Sequence, residues 1–150
     1  MAEVLAEVVA NGVANGVAEV PAAARTPGAR RAGNGEYVFN LANVNHILGG
    51  PDYSTANGSC VEGDRMIVGL MRMPAGTGAE PHSHPNEQWI YVLEGTFTAT
   101  IGGKAVEAGP GSVVYVPADV IHTGRASAAG DVVFFTVKDA SHSLHGIKAA

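Results

Sequence analysis

From Glu36 onward, short apolar runs alternate with glycine and proline punctuation, and no segment keeps a helical period for the length of a helix. Runs rich in Val, Ile, Tyr, Phe and Thr predict strands over Tyr37–Leu41, Met66–Met73, Gln88–Leu93, Thr96–Ile101, Lys104–Val106, Ser112–Val116 and Asp131–Val137. Glu94-Gly95 and Gly102-Gly103 have the composition of tight hairpin turns. Strands this short and this frequent predict an all-β fold, a small barrel or jelly roll. Side chains alternate across a strand, so Gln88, Ile90 and Val92 share one face while Trp89, Tyr91 and Leu93 share the other. Both faces are apolar. Such a strand is covered by a second sheet or joins subunits, and a homodimer is expected.

The first 35 residues break this pattern. Ala, Val and Gly dominate them, and Val-Ala-Asn-Gly at 9–12 is repeated at 13–16. Glu3, Glu7 and Glu19 interrupt the stretch, no basic segment precedes it and no apolar run nears membrane-spanning length, so neither an export signal nor a membrane anchor is expected. Val4, Leu5, Val8 and Val9 are spaced for a short amphipathic helix ending near Asn11-Gly12. Arg25 to Gly35 contains Pro27, three glycines and the pair Arg30-Arg31, which is linker composition. The expected organisation is a low-complexity N-terminal arm and linker over 1–35 and a β-barrel over 36–150.

Composition narrows the function. The net charge is −5 and basic residues are scattered singly apart from Arg30-Arg31, so no stripe exists to follow a phosphate backbone, and nucleic acid is not an expected partner. Cys60 is the sole cysteine, which excludes an intrachain disulfide and fits a reducing cytoplasm. The sequon Asn57-Gly58-Ser59 is then expected to stay unmodified.

Within Pro81 to Gly95 the chemistry becomes specific. His82 and His84 lie two apart, hence on one strand face, and Gln88 shares their parity after the Pro85-Asn86-Glu87 turn. Both imidazoles can meet one ion, and His122 stands where a later strand can return to them. Glu87 is out of phase with the pair and points away unless a bulge intervenes, whereas Gln88 is in phase, either as a donor to the ion or as an amide that orients His84 or a water. An amide oxygen brings no charge, so three imidazoles and one glutamine leave a divalent ion uncompensated and attractive to an anionic oxygen.

These residues resemble the cupin superfamily. Its first motif is Gly, five residues, His-x-His, three or four residues, Glu, six residues, Gly, and Gly76, His82, His84, Gln88 and Gly95 satisfy every spacing. Its second motif is Gly, five residues, Pro-x-Gly, two residues, His, three residues, Asn; Gly111, Pro117 and His122 fall in register, with Asp119 replacing the glycine and Ala126 the asparagine. The short stretch from Gly95 to Gly111 is similar to compact microbial cupins. The resemblance implies a cupin-type β-barrel holding one divalent metal ion (Mn, Fe, Ni, Zn or Cu) on His82, His84, Gln88 and His122. A His-x-His, Gln, His set also resembles cupins that handle unsaturated uronates in pectin breakdown and manganese cupins that cleave hydroxynitriles; the substrate does not follow from that pattern.

A catalytic acid or base is less legible among Arg65, Arg72, Tyr115, Tyr53 and Glu80. Arg72 interrupts the apolar run Met66–Met73, where it either faces the metal and binds a carboxylate or lies on the outer face. Tyr115 precedes His122 and either donates to a substrate oxygen or packs in a core or interface. His142 and His145 are surface residues or a lid over the barrel mouth, and His46 is equally open. Three classes of activity on a small-molecule substrate remain: a metal-dependent lyase, isomerase or cyclisation enzyme using Lewis-acid catalysis, a non-haem iron dioxygenase, and a non-catalytic binding cupin.

Overall fold

The structure, a computed structural model, describes residues 25–150, so the amphipathic helix expected before Asn11 lies outside the described residues. Twelve strands and no helix occur among the described residues: β1 (Arg30–Arg31), β2 (Ile47–Leu48), β3 (Asn57–Glu62), β4 (Met66–Met73), β5 (Gly78–Ser83), β6 (Gln88–Glu94), β7 (Phe97–Ile101), β8 (Lys104–Ala108), β9 (Val113–Val116), β10 (His122–Ala126), β11 (Val132–Asp139) and β12 (Ile147–Lys148). One sheet runs β1-β3-β4-β11-β6-β9 with β2 on β3, and the other runs β12-β5-β10-β7-β8. The two curl into a jelly-roll barrel. No helix among the described residues is long and apolar enough to cross a membrane.

Alternation builds the interior. β11 buries Val132, Phe134, Thr136 and Lys138, and β6 buries Gln88, Ile90 and Val92 while exposing Trp89 and Tyr91. Phe97 of β7 meets Phe134 of β11 with ring centroids 5.8 Å apart, joining the two sheets at the core. Each fully buried aliphatic or aromatic side chain of this kind contributes about 1.5–3 kcal/mol. The apolar rows end in polar residues at one end of the barrel. There Lys138 and Gln88 are partners across the β11–β6 ladder, and Thr136 is partnered with Ile90.

Several expected elements differ. No strand forms at Tyr37–Leu41, because Tyr37 and Val38 are almost fully exposed and a strand needs a buried face to hold it. Gly102-Gly103 is the two-residue hairpin its sequence suggests, with Ile101 opposite Lys104 and both glycines at positive φ. Glu94-Gly95 is not a hairpin: the chain crosses there from one sheet to the other, and a Cβ on Gly95 would sit 2.1 Å from Asp131 O. Pairing also starts ahead of Glu36, since Arg30 and Arg31 run parallel to Val61 and Glu62. β3, with its turn-like Asn-Gly-Ser opening, is held by Asn45, whose Oδ1 accepts from Cys60 N (3.0 Å) and whose Nδ2 donates to Cys60 O (2.8 Å).

Candidate metal centre

His82 sits near the end of β5, His84 just beyond it, and His122 opens β10 directly opposite His82. All three are buried, and their candidate donor nitrogens lie within 4.8 Å of one another. The closest ring pair is His82–His122, centroids 4.2 Å apart.

The backbone sets the tautomer of each ring in the same way. Nδ1 of His82 donates to Glu80 O (2.7 Å), that of His84 to Asn86 O (2.7 Å) and that of His122 to Val120 O (2.8 Å), each a carbonyl two residues away. A carbonyl only accepts, so Nδ1 carries the proton and Nε2 keeps its lone pair for the cavity. Burial keeps the rings neutral. It pulls His82 down to about 4 and His84 to about 3, with the His122 ring also disfavouring charge on His82, and it lowers His122 as well.

Gln88 points its oxygen at this group. Thr136 Oγ1 donates to Trp89 O (3.1 Å) and therefore accepts from Gln88 Nε2 (2.8 Å), which leaves Gln88 Oε1 facing His84 Nε2 at 3.1 Å. Two lone pairs face each other across that gap, an arrangement favoured when a cation lies between them. The donor set thus fits a divalent ion, and the three histidines can hold one.

Tyr53 completes one wall. Its ring stacks on His82, and its Oη accepts from Gly146 N (2.6 Å) in the C-terminal segment. Asn86 anchors that segment by donating Nδ2 to the carbonyls of Asp139, His142 and Ser143. His142 and His145 stay out of the triad, and His145 Nε2 instead donates to Leu48 O (2.9 Å); His46 bonds Asn57 Oδ1 at the surface. The space beside the triad is a small cavity of about 60 Å³, partly open to solvent, walled by Met71, Ile90, Phe97 and Phe134.

The two residues considered for catalysis lie elsewhere. Arg72 is on the outer face of β4, exposed and paired with Asp131 at 2.9 Å, because its parity in Met66–Met73 is opposite to that of the buried Met71 and Met73. Tyr115 is likewise outward on β9, its Oη donating to Glu87 (2.8 Å) and its ring 4.7 Å from Trp89. Glu80 is engaged at the surface by Lys148. Sequence reasoning passed over Thr136 and Lys138, although the β11 alternation places both on the row of Val132 and Phe134. Lys138 is buried, lines the cavity with His82, Gln88 and His122, and is held down to about 7 by burial. Cys60 is no nucleophile here: burial first, and Glu62 second, push its thiol up to about 12.

Residues 69–138 match the family model described as a cupin domain. Among solved structures, the polyketide cyclase RemF from Streptomyces resistomycificus is similar with a TM-score of 0.62 at 21% identity, over 71% of this chain and 81% of that one. KdgF from Halomonas sp. gives 0.52 at 20% identity over 57% and 78%, and the cupin domain of Schizosaccharomyces pombe Cnp3 gives 0.54 at 16% over 68% and 72%. At these identities the likeness is one of fold. An uncharacterized protein of Streptomyces coelicolor is 39% identical over 57 residues, 38% of this chain and 54% of that protein, so the chain spans about half the length of the curated relative it matches.

Proposed function

From the match of residues 69–138 to a cupin-domain model, we propose that the chain is a metal-dependent enzyme acting on a small, oxygenated, anionic substrate by Lewis-acid catalysis, in a lyase, isomerase or cyclisation reaction. The observation that carries this reading is the shared backbone capture of Nδ1 in His82, His84 and His122, which leaves a neutral Nε2 on each of three rings clustered closely enough to serve one ion. Gln88 supplies the fourth donor through Oε1, oriented by Thr136. A divalent ion held by these residues would supply Lewis-acid polarisation of a substrate oxygen. Ile90, Phe97 and Phe134 take the apolar body of the substrate and exclude water from its reacting end. With no carboxylate among the donors, the site favours an anionic oxygen. The cyclase RemF shares this fold, which sets ring closure among the reactions to assay first.

Elemental analysis of protein purified without added metal tests the reading. Stoichiometric metal that His84→Ala abolishes is expected, and a folded, metal-free wild-type preparation that takes up no ion overturns it. Gln88→Glu should bind metal more tightly; an unchanged affinity removes Gln88 from the donor set. Turnover under anaerobic conditions with manganese, nickel or zinc separates this chemistry from an iron dioxygenase, whose oxygen uptake would require iron. We also propose that two copies of the chain associate through the outer face of β6 and β9, where Trp89, Tyr91, Leu93, Val113 and Tyr115 are exposed together.

A further inference from the structure

The metal-centred reading leaves Lys138 unused. Its side chain ends the inward row of β11 and is only 4% exposed. Nζ donates to Leu144 O at 2.6 Å, and among the described residues this is its one hydrogen bond, so two of the three ammonium donors have no protein acceptor. Among the described residues no carboxylate pairs with it directly: ion pairs join Arg30 to Glu36, Arg31 to Asp64, Arg72 to Asp131 and Lys148 to Glu80, and Asp139 acts on Lys138 only at a distance. The neighbouring Asp139 spends its carboxylate on the backbone N–H groups of Glu87 (2.7 Å) and Ser141 (3.0 Å).

A buried lysine with a single carbonyl acceptor is rare because stripping water from an ammonium costs several kcal/mol unless an anion or several acceptors replace it. Holding one carbonyl of the C-terminal segment is a small return for that cost. Lys138 also lies on the wall of the cavity that contains His82, Gln88 and His122, and nothing acidic lines that cavity. An acidic group on a ligand would supply the negative charge that this cavity lacks.

We propose that Lys138 is an anion-binding residue, and that the ligand of this cavity carries an acidic oxygen group that pairs with the Lys138 ammonium while its apolar body lies against Ile90, Phe97 and Phe134. This rests on the cavity being the substrate site of the reading above, but it does not depend on the metal. It also adds a second recognition point, so the substrate is held at two places: an oxygen at the histidines and an anionic group at Lys138.

Benzoate and benzamide, which share a shape and differ in charge, are the probes. Calorimetric titrations use chelator-stripped and zinc-loaded wild-type protein and the Lys138→Met variant. Benzoate should bind the stripped wild type about tenfold or more tightly than benzamide, and Lys138→Met should erase that preference. Equal binding of the two probes, absence of benzoate binding, or a Met variant that keeps the preference overturns the proposal. Should the variant fail to fold, the side-chain nitrogen resonance of Lys138 in labelled wild-type protein decides: benzoate shifts it and benzamide does not, and indifference to benzoate overturns the proposal. Protein that takes up no zinc yet binds benzoate through Lys138 defeats the metal centre alone. Zinc uptake with benzoate binding indifferent to Lys138 defeats the anion site alone.

Discussion

The Tyr53 ring lies on the His82 imidazole, centroids 4.3 Å apart and planes inclined by 27°, while its hydroxyl accepts the N–H of Gly146. One side chain thus joins a candidate metal ligand to the segment that covers it. Tyr53→Phe keeps the stack and orphans the Gly146 N–H, and should cost about 1–3 kcal/mol in urea denaturation with metal affinity nearly intact. Tyr53→Ala removes both contacts. It should cost about 3–5 kcal/mol and weaken zinc binding by about 10- to 100-fold in chelator competition.

The metal-free protein should lose stability on acidification. His82 and His84 are depressed in the folded state to about 4 and about 3, below the ordinary histidine value of 6.5. Below 6.5 the unfolded chain takes up protons that the folded chain refuses, so unfolding gains as pH falls toward those values. Lys138, depressed to about 7 from 10.5, acts in the same direction at higher pH. Melting temperature should therefore rise from pH 4 to 6.5 and again from 7 to 10, and His84→Ala should flatten the acidic limb. A melting temperature that falls across the acidic range would contradict the buried, neutral triad.

Asp119 occupies the glycine position of the second cupin motif and has φ +64, a left-handed conformation that costs a non-glycine residue free energy. Its N–H donates to His84 O (2.8 Å), so the loop before His122 is tied to the backbone of a second candidate ligand. Asp119→Gly should relax the strain and raise stability by about 0.5–1 kcal/mol, measured by thermal unfolding. A loss of stability on that change would mean that the carboxylate contributes more than the backbone costs.

On the outer sheet, Trp89→Lys should abolish self-association while leaving the fold intact, because it places a charge in the middle of an exposed aromatic pair with Tyr115. Sedimentation equilibrium reads the outcome. Wild-type protein that is monomeric at micromolar concentration removes the dimer from consideration.

The sequence was most legible where period and packing agree. Met66–Met73, Gln88–Leu93 and the Gly102-Gly103 hairpin carry alternation or turn chemistry that the structure repeats, and the parity of His82, His84 and Gln88 places all three on the inner face. β3 leaves no signal, and β5 and β10 leave only their histidines, because Asn57–Glu62, Gly78–Ser83 and His122–Ala126 are short and polar and are held by neighbouring strands and by Asn45 rather than by propensity. Arg72 and Tyr115 have the outward parity of their strands and Lys138 has the inward parity of Val132 and Phe134, so alternation alone separates the three.

The segment that roofs the triad follows the last histidine of the triad in the chain. Asn86 binds the carbonyls of 139, 142 and 143, β12 pairs with β5 so that Lys148 stands opposite His82, and a Cβ on Gly146 would touch the His82 ring at 3.0 Å. The clasp rests on backbone carbonyls and a paired strand, not on the imidazole nitrogens, so an ion held by His82, His84 and His122 would be retained by contacts that take no part in binding it. A variant that weakens the Asn86 clasp would be expected to exchange its metal faster without altering which metals the imidazoles accept.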